Sequence, residues 1–364
     1  MAVNLRIPGP TPCPEEVLEA GAKPMINHRG PEFREMLLRI TDRLKKLFYT
    51  KNDLLILTAS GTGAMEAAIV NTLSPGDRVL AVSIGEFGDR FAEIARAYWA
   101  DVVDLKFDPG TYADPDAIRK VLNADPRIKA VLVTHNETST GITNDVESIA
   151  KVVKGEFNKL FIVDAISSIG SIPCPVDEWN LDVVTSGSQK GWMAPPGLAF
   201  ISMNETAWKA QAQSRMPRFY FDLAAAKRYL QRGQNPWTPA VSVFFALDAS
   251  LALIDKEGME SVFTRHAVVA KKTREGVKSL GLKLLADERY ASNTVTAVRV
   301  PDGVKAADII SRMNTEENTV LAAGQGKLDG KIFRVGHLGY CSEDDIQGVI
   351  DGLKRVLPKV GYRG

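Results

Sequence analysis

Short apolar runs alternate with amphipathic stretches between residues 53 and 202. Runs such as Leu54-Leu55-Ile56-Leu57, Val79-Leu80-Ala81-Val82, Ala130-Val131-Leu132-Val133 and Leu160-Phe161-Ile162-Val163 are apolar throughout, the pattern of strands buried on both faces. Strands are expected at 53–58, 78–82, 101–107, 130–134, 160–163, 181–185 and 198–202. Helices are expected from Glu15 and over 32–49, 64–70, 85–97, 114–124 and 148–153; Phe33, Met36, Leu37, Ile40, Leu44 and Leu47 form one helical stripe in the second. Repeated β-α-β units imply an α/β fold, a mainly parallel sheet with helices on both faces. After residue 205 the pattern loosens. Helices at 242–256, 263–280, 306–313 and 344–357, with strands at 294–300, 319–323 and 331–336, then make a smaller α+β unit. The expected division is a large unit over 15–245 and a small one formed by 246–364 with the arm 1–14. Prolines 8, 10, 12 and 14 keep that arm extended, as a loose tail or as a lid.

Composition narrows the function classes. A chain of 364 residues is long enough for two cores, and 45 basic against 44 acidic residues leave no charged stripe for a nucleic acid. No apolar run is long enough to span a membrane or to act as a secretion signal, which points to a cytoplasmic protein. Cys13, Cys174 and Cys341 are too few and too scattered for a disulfide framework, and His28, His135, His266 and His337 lack metal-ligand spacing.

The candidate chemistry sits where strands end, which is where parallel sheets collect ligands. Ala59-Ser60-Gly61-Thr62-Gly63 joins a strand to a helix, so free backbone N–H groups and two hydroxyls can meet a phosphate; an ordinary capped helix start reads the same way. Asp164 closes one apolar run and can cap the next segment or face a cationic ring nitrogen. Lys190, in Ser186-Gly187-Ser188-Gln189-Lys190-Gly191-Trp192, lies between two strands. Partial burial there would lower its pKa and make it a nucleophile toward carbonyls, although a plain strand-end lysine fits the loop equally.

Together with an aromatic at Phe87, these groups match a pyridoxal 5'-phosphate site in order and spacing. The chain resembles class V aminotransferases of fold type I, closest to the alanine:glyoxylate, serine:glyoxylate and serine:pyruvate group. The resemblance runs from Pro8-Gly9-Pro10-Thr11-Pro12 through His28-Arg29-Gly30-Pro31, Ser60-Gly61-Thr62, His135-Asn136-Glu137-Thr138-Ser139-Thr140-Gly141 and Val163-Asp164-Ala165 to Phe333-Arg334-Val335-Gly336. It implies Lys190 as the Schiff-base lysine and proton carrier, with Asp164 on the ring nitrogen. Ser60, Gly61, Thr62 and Gln189 would hold the phosphate, Thr138 the phenolic oxygen and Phe87 the ring face. Arg334 and Gly9 would bind the substrate, and Thr238 would reach the phosphate of a neighbouring subunit, making a homodimer with shared sites. Ile84 stands where relatives often carry asparagine.

The resemblance therefore implies a ping-pong transamination from alanine or serine to glyoxylate or pyruvate. Aspartate, ureidoglycine and 2-aminoethylphosphonate are alternative donors used by similar enzymes. Two further readings are cysteine desulfuration, which needs a mobile catalytic cysteine, and a non-catalytic partner subunit of a soluble hydrogenase.

Overall fold

The computed structural model describes residues 3–362, so the first two residues of the arm and the last two of the small unit lie outside the described residues. The chain begins with strand β1 (Asn4–Arg6), helix α1 (Glu15–Gly21) and helix α2 (Pro31–Leu47). Pro31 opens α2, where its missing N–H costs nothing, and the stripe from Phe33 to Leu47 is buried as its spacing predicts. Next come β2 (Asp53–Ala59), α3 (Gly61–Thr72), β3 (Arg78–Ser83), α4 (Glu86–Ala97), β4 (Asp101–Lys106), α5 (Pro115–Ala124) and β5 (Ala130–Thr134). The small hairpin β6 (Asn136–Glu137) and β7 (Ile142–Thr143) precedes α6 (Val146–Ala150), which widens into a π-helical turn over Lys151–Glu156. Then β8 (Leu160–Asp164), β9 (Val183–Gly187) and β10 (Gly197–Met203) complete a seven-stranded sheet in the order β2-β10-β9-β8-β5-β3-β4.

All its neighbour pairs are parallel except those of β10, which runs antiparallel to both β2 and β9. The parallel strands therefore bring their carboxyl ends to one edge, and register aligns Asp164 with Thr134 on one side and Thr185 on the other. Because β9 and β10 are antiparallel neighbours, residues 188–196 need only turn back at that same edge, and this turn holds Lys190.

The loosely patterned stretch after residue 205 contains two helices that periodicity did not reveal, α7 (Glu205–Gln213) and α8 (Leu223–Leu230), each started by a side-chain cap, Asn204 and Asp222 respectively. Helices α9 (Val241–Glu257) and α10 (Met259–Ser279) lead to β11 (Val295–Arg299), α11 (Ala306–Glu317), β12 (Thr319–Ala323), β13 (Ile332–Gly336) and α12 (Glu343–Val356). The second sheet has the order β1-β12-β13-β11, so the N-terminal arm is anchored to the C-terminal part of the chain. No helix among the described residues is long and apolar enough to cross a membrane.

Candidate active site

The turn 188–196 is held from below and above. Trp192 is fully buried, stacked at 5.7 Å on Phe48 and edge-on at 5.8 Å to Phe200, and its indole N–H donates to Ser186 Oγ at 2.9 Å. Ser188 Oγ donates to the Pro195 carbonyl at 2.6 Å and accepts from the Leu198 N–H at 3.2 Å, closing the turn on itself. From above comes the arm: the Thr11 N–H donates to the Gln189 carbonyl at 3.0 Å and Thr11 Oγ1 to the Lys190 carbonyl at 3.0 Å. Of the two expectations for the arm, a loose tail and a lid, this packing fits the lid.

Lys190 is buried, and its Nζ donates to the Pro8 carbonyl at 2.6 Å. Gly9 lies against it so closely that a Cβ there would come within 2.6 Å of Nζ, and its φ of +127° also favours glycine. Burial pushes the lysine pKa down to about 8; Asp164 pulls it back up, while Arg334 and Arg90 help to lower it. Asp164 is buried too, and burial pushes its carboxyl up to about 7, against the N–H of Ile166, which donates to Oδ1 at 2.9 Å. Asp164 thus forms the local turn anticipated as one of its two roles, while Oδ2 has only a long contact, 3.5 Å, from Thr134 Oγ1.

These values give a pH expectation. A lysine with a folded pKa near 8 is neutral above that pH, so the rate at which cofactor-stripped protein captures pyridoxal 5'-phosphate should rise about tenfold per pH unit up to roughly 8 and then level off. A capture rate still climbing toward pH 10 would mark Lys190 as an ordinary exposed lysine.

The start of α3 supplies the expected anion cradle. Ser60 is its N-cap in extended conformation, yet its hydroxyl makes no capping hydrogen bond, which leaves the N–H groups of the first turn for a ligand. A Cβ on Gly61 would come within 2.7 Å of Ile166, so only glycine brings the backbone this close to the Asp164 segment. Beside it, Gln189 Oε1 is buried without a partner, and the Cβ position of Gly187 is 3.0 Å from that oxygen and 3.5 Å from the Gly61 nitrogen. Turning the amide over would offer N–H groups instead. An orphaned amide beside uncapped helix N–H groups fits a phosphate.

Arg334, on β13, is buried; its hydrogen-bond partners among the described residues are all neutral, and Glu137 and Glu86 act on it only through space. Its Nε donates to the Ala323 carbonyl at 2.8 Å, and Nη1 donates to the Thr138 carbonyl at 3.0 Å and to Gln325 Oε1 at 2.9 Å. Burial lowers its pKa to about 10. Thr138 is buried on the loop after β6, and Phe87 is half-buried near the start of α4. Thr238 is exposed and makes no hydrogen bond among the described residues. The fold thus gathers Lys190, Asp164, Gln189, Gly61 and Gly9 by contact or charge and links Thr138 to Arg334. Among the described residues it does not bring Thr238 to a hydrogen-bond partner.

Sequence reasoning missed three groups. Arg90 lies over the Phe87 ring at 4.6 Å, one turn farther along α4. Gln325 orients Arg334. Glu137, quoted above only as part of a motif, is a fully buried carboxylate bound to the start of α4. Spacing three residues after an aromatic at a helix start could have flagged Arg90.

Residues 3–331 match the family model described as aminotransferase class-V. The chain is 45% identical over 360 residues to the soluble hydrogenase small subunit of Synechococcus sp., covering 98% of this chain and 94% of that one. It is 39% identical over 370 residues to a serine–glyoxylate aminotransferase of Methylorubrum extorquens, covering 99% and 92%. Among solved structures, an alanine–glyoxylate aminotransferase from Nostoc sp. superposes with a TM-score of 0.94 at 30% identity, covering 98% of this chain and 96% of that one.

Proposed function

From a chain that belongs to the class V aminotransferases, we propose a transaminase that moves the amino group of alanine or serine to glyoxylate or pyruvate in two half-reactions. Its cofactor is pyridoxal 5'-phosphate, which when bound supplies an electron sink for the substrate α-carbon and carries the amino group between the half-reactions. Ser60, Gly61, Thr62 and Gln189 hold the phosphate, supported by the uncapped start of α3 and the orphaned Gln189 oxygen. Asp164 would partner the ring nitrogen, where a buried carboxylate would keep a proton. Thr138 would donate to the phenolic oxygen, and Phe87 would support the ring. Lys190, once neutral, would hold the cofactor through its amine and, displaced by the substrate amine, would carry the substrate α-proton.

The observation that carries this reading is Arg334: a buried guanidinium with no carboxylate partner among the described residues, in the same site as a desolvated lysine and aspartate. Such a cation calls for an anion, and the substrate carboxylate provides it, with Gly9 leaving room beside Lys190. The test is a half-reaction screen in which loaded protein is mixed with single amino acids and the visible cofactor band is followed. Alanine or serine should bleach it fastest; preferential bleaching by aspartate, ureidoglycine or 2-aminoethylphosphonate would move the donor elsewhere, and no bleaching by any amine would reject a transaminase.

The same proposal includes a cytoplasmic homodimer in which Thr238 serves the neighbouring subunit, supported by its exposure and by the exposed aromatics Phe219 and Tyr220 beside it, both stacked on the half-buried Trp237. It also includes the division at residue 245, within α9, between a cofactor-holding unit and a smaller one built on the second sheet. Cysteine desulfuration is disfavoured because Cys341 is buried and burial pushes its thiol up to about 11, so it is not a ready thiolate.

A further inference from the structure

Helix α4 begins in an unusual way. Its N-cap is Gly85, which has no side chain to offer, and a Cβ there would overlap Ser139 Oγ and come within 2.7 Å of Glu137 Cγ. The caps arrive instead from the loop after β6. Ser139 Oγ accepts from the Glu86 N–H at 3.0 Å, and Glu137 Oε2 accepts from the N–H groups of Phe87 at 3.0 Å and Gly88 at 3.1 Å. The other carboxylate oxygen, Oε1, accepts from the Ser139 N–H at 3.1 Å and Ser139 Oγ at 2.6 Å. Each oxygen of a fully buried carboxylate is thus used twice, with the positive end of a helix in front of it.

What this knot joins is the active site. Phe87 is itself one of the capped residues, and Thr138 sits between the two capping residues. The Thr138 carbonyl, in turn, accepts from Arg334. We propose that Glu137 is a positioning residue: its carboxylate locks the start of α4 to the loop 137–139 and so sets Phe87, Thr138 and Arg334 at fixed separations around the cofactor. This rests on the roles assigned above to Phe87 and Thr138. An amide in its place keeps one acceptor oxygen and turns the other into a donor facing donors, so Glu137→Gln breaks half of the knot without changing its size.

The test uses the full-length protein, stripped of cofactor, as wild type, Glu137→Gln, Ser139→Ala and Phe87→Ala. Three quantities are measured: affinity for pyridoxal 5'-phosphate by fluorescence titration, visible circular dichroism of the loaded protein, and amide exchange of the stripped protein. Glu137→Gln should weaken cofactor affinity about 10- to 100-fold and diminish the dichroism per bound cofactor. The amides of residues 86–88 should exchange faster while those of β8 and the melting temperature hold. Ser139→Ala should move all three readouts the same way by less, and it keeps the proposal testable if Glu137→Gln does not fold. Wild-type affinity and dichroism in both variants overturn the proposal. So does uniformly faster exchange with a lowered melting temperature, which marks an ordinary helix cap. If instead wild type gains no visible band, or Phe87→Ala binds as wild type does, the cofactor-site reading itself fails and the proposal falls with it.

Discussion

Lys190→Ala should lower turnover by at least about 10,000-fold and remove the visible band of lysine-bound cofactor, while leaving the fold intact. The size follows from two roles lost together, because positioned acid–base catalysis alone contributes about 100- to 10,000-fold and the nucleophile disappears with it. Stability should not fall. The folded pKa near 8 lies below the usual lysine value, so the folded state disfavours the charged form. That penalty, on the order of 3 kcal/mol, is fully present below about pH 8 and is relieved as pH rises from 8 to the unfolded value near 10.5. Removing the amine removes the penalty, so at pH 7 Lys190→Ala should melt no lower than wild type. Asp164 behaves oppositely: its raised pKa favours the folded state below about pH 4, and this is lost as pH rises through 7. Lys190→Arg separates charge from nucleophilicity. A guanidinium stays protonated at any working pH, so the arginine variant should be as inactive as alanine. Coupled measurement of oxo-acid formation and a thermal melt decide both; an active arginine variant would mean that only a cation is needed.

The strands that carry the site were legible because each holds a short apolar run bounded by polar residues, and chemistry at their ends follows from parallel pairing. Asp164, Ser60 and Lys190 were therefore singled out as candidates by position as well as by resemblance. The pairing of β1 was not legible. Asn4–Arg6 is too short to display a period, and its partner β12 lies at Thr319–Ala323, so nothing local signals it. That pairing is what draws Pro8 and Gly9 over Lys190, so the arm, which its prolines alone left open as a tail or a lid, packs against the candidate site. Helices α7 and α8 were hidden for another reason: aromatic and basic residues interrupt the apolar stripe, and their starts depend on single caps at Asn204 and Asp222. Glu137 illustrates the deepest limit. A carboxylate in a polar motif reads as solvated, and its burial depends on backbone N–H groups of Phe87 and Gly88, whose availability depends in turn on Gly85 having no side chain.

Arg334→Ala should reduce kcat/KM for the amino donor by about 100- to 1,000-fold, mostly through KM, with the visible cofactor band unchanged. The argument is one of unmatched charge. Three hydrogen bonds orient the guanidinium, but each acceptor is a carbonyl or amide oxygen; the carboxylates of Glu137 and Glu86 act on the charge through space, and neither forms an ion pair with it among the described residues. Burial lowers the pKa only to about 10, so the group remains charged at neutral pH and holds unspent attraction for an anion. A substrate carboxylate arriving there makes charge-assisted bonds to a fork already fixed in plane, so binding loses little side-chain freedom. Arg334→Lys should recover only a minor part of the loss, because a single ammonium cannot reproduce the fork or hold both the Ala323 and Thr138 carbonyls. Steady-state kinetics with alanine and with the corresponding amine lacking a carboxylate provide the control. Wild type should prefer the amino acid strongly, and Arg334→Ala should lose most of that preference. If the variant still discriminates as wild type does, the carboxylate is bound elsewhere, and Arg334 serves only to hold the Thr138 loop against β13.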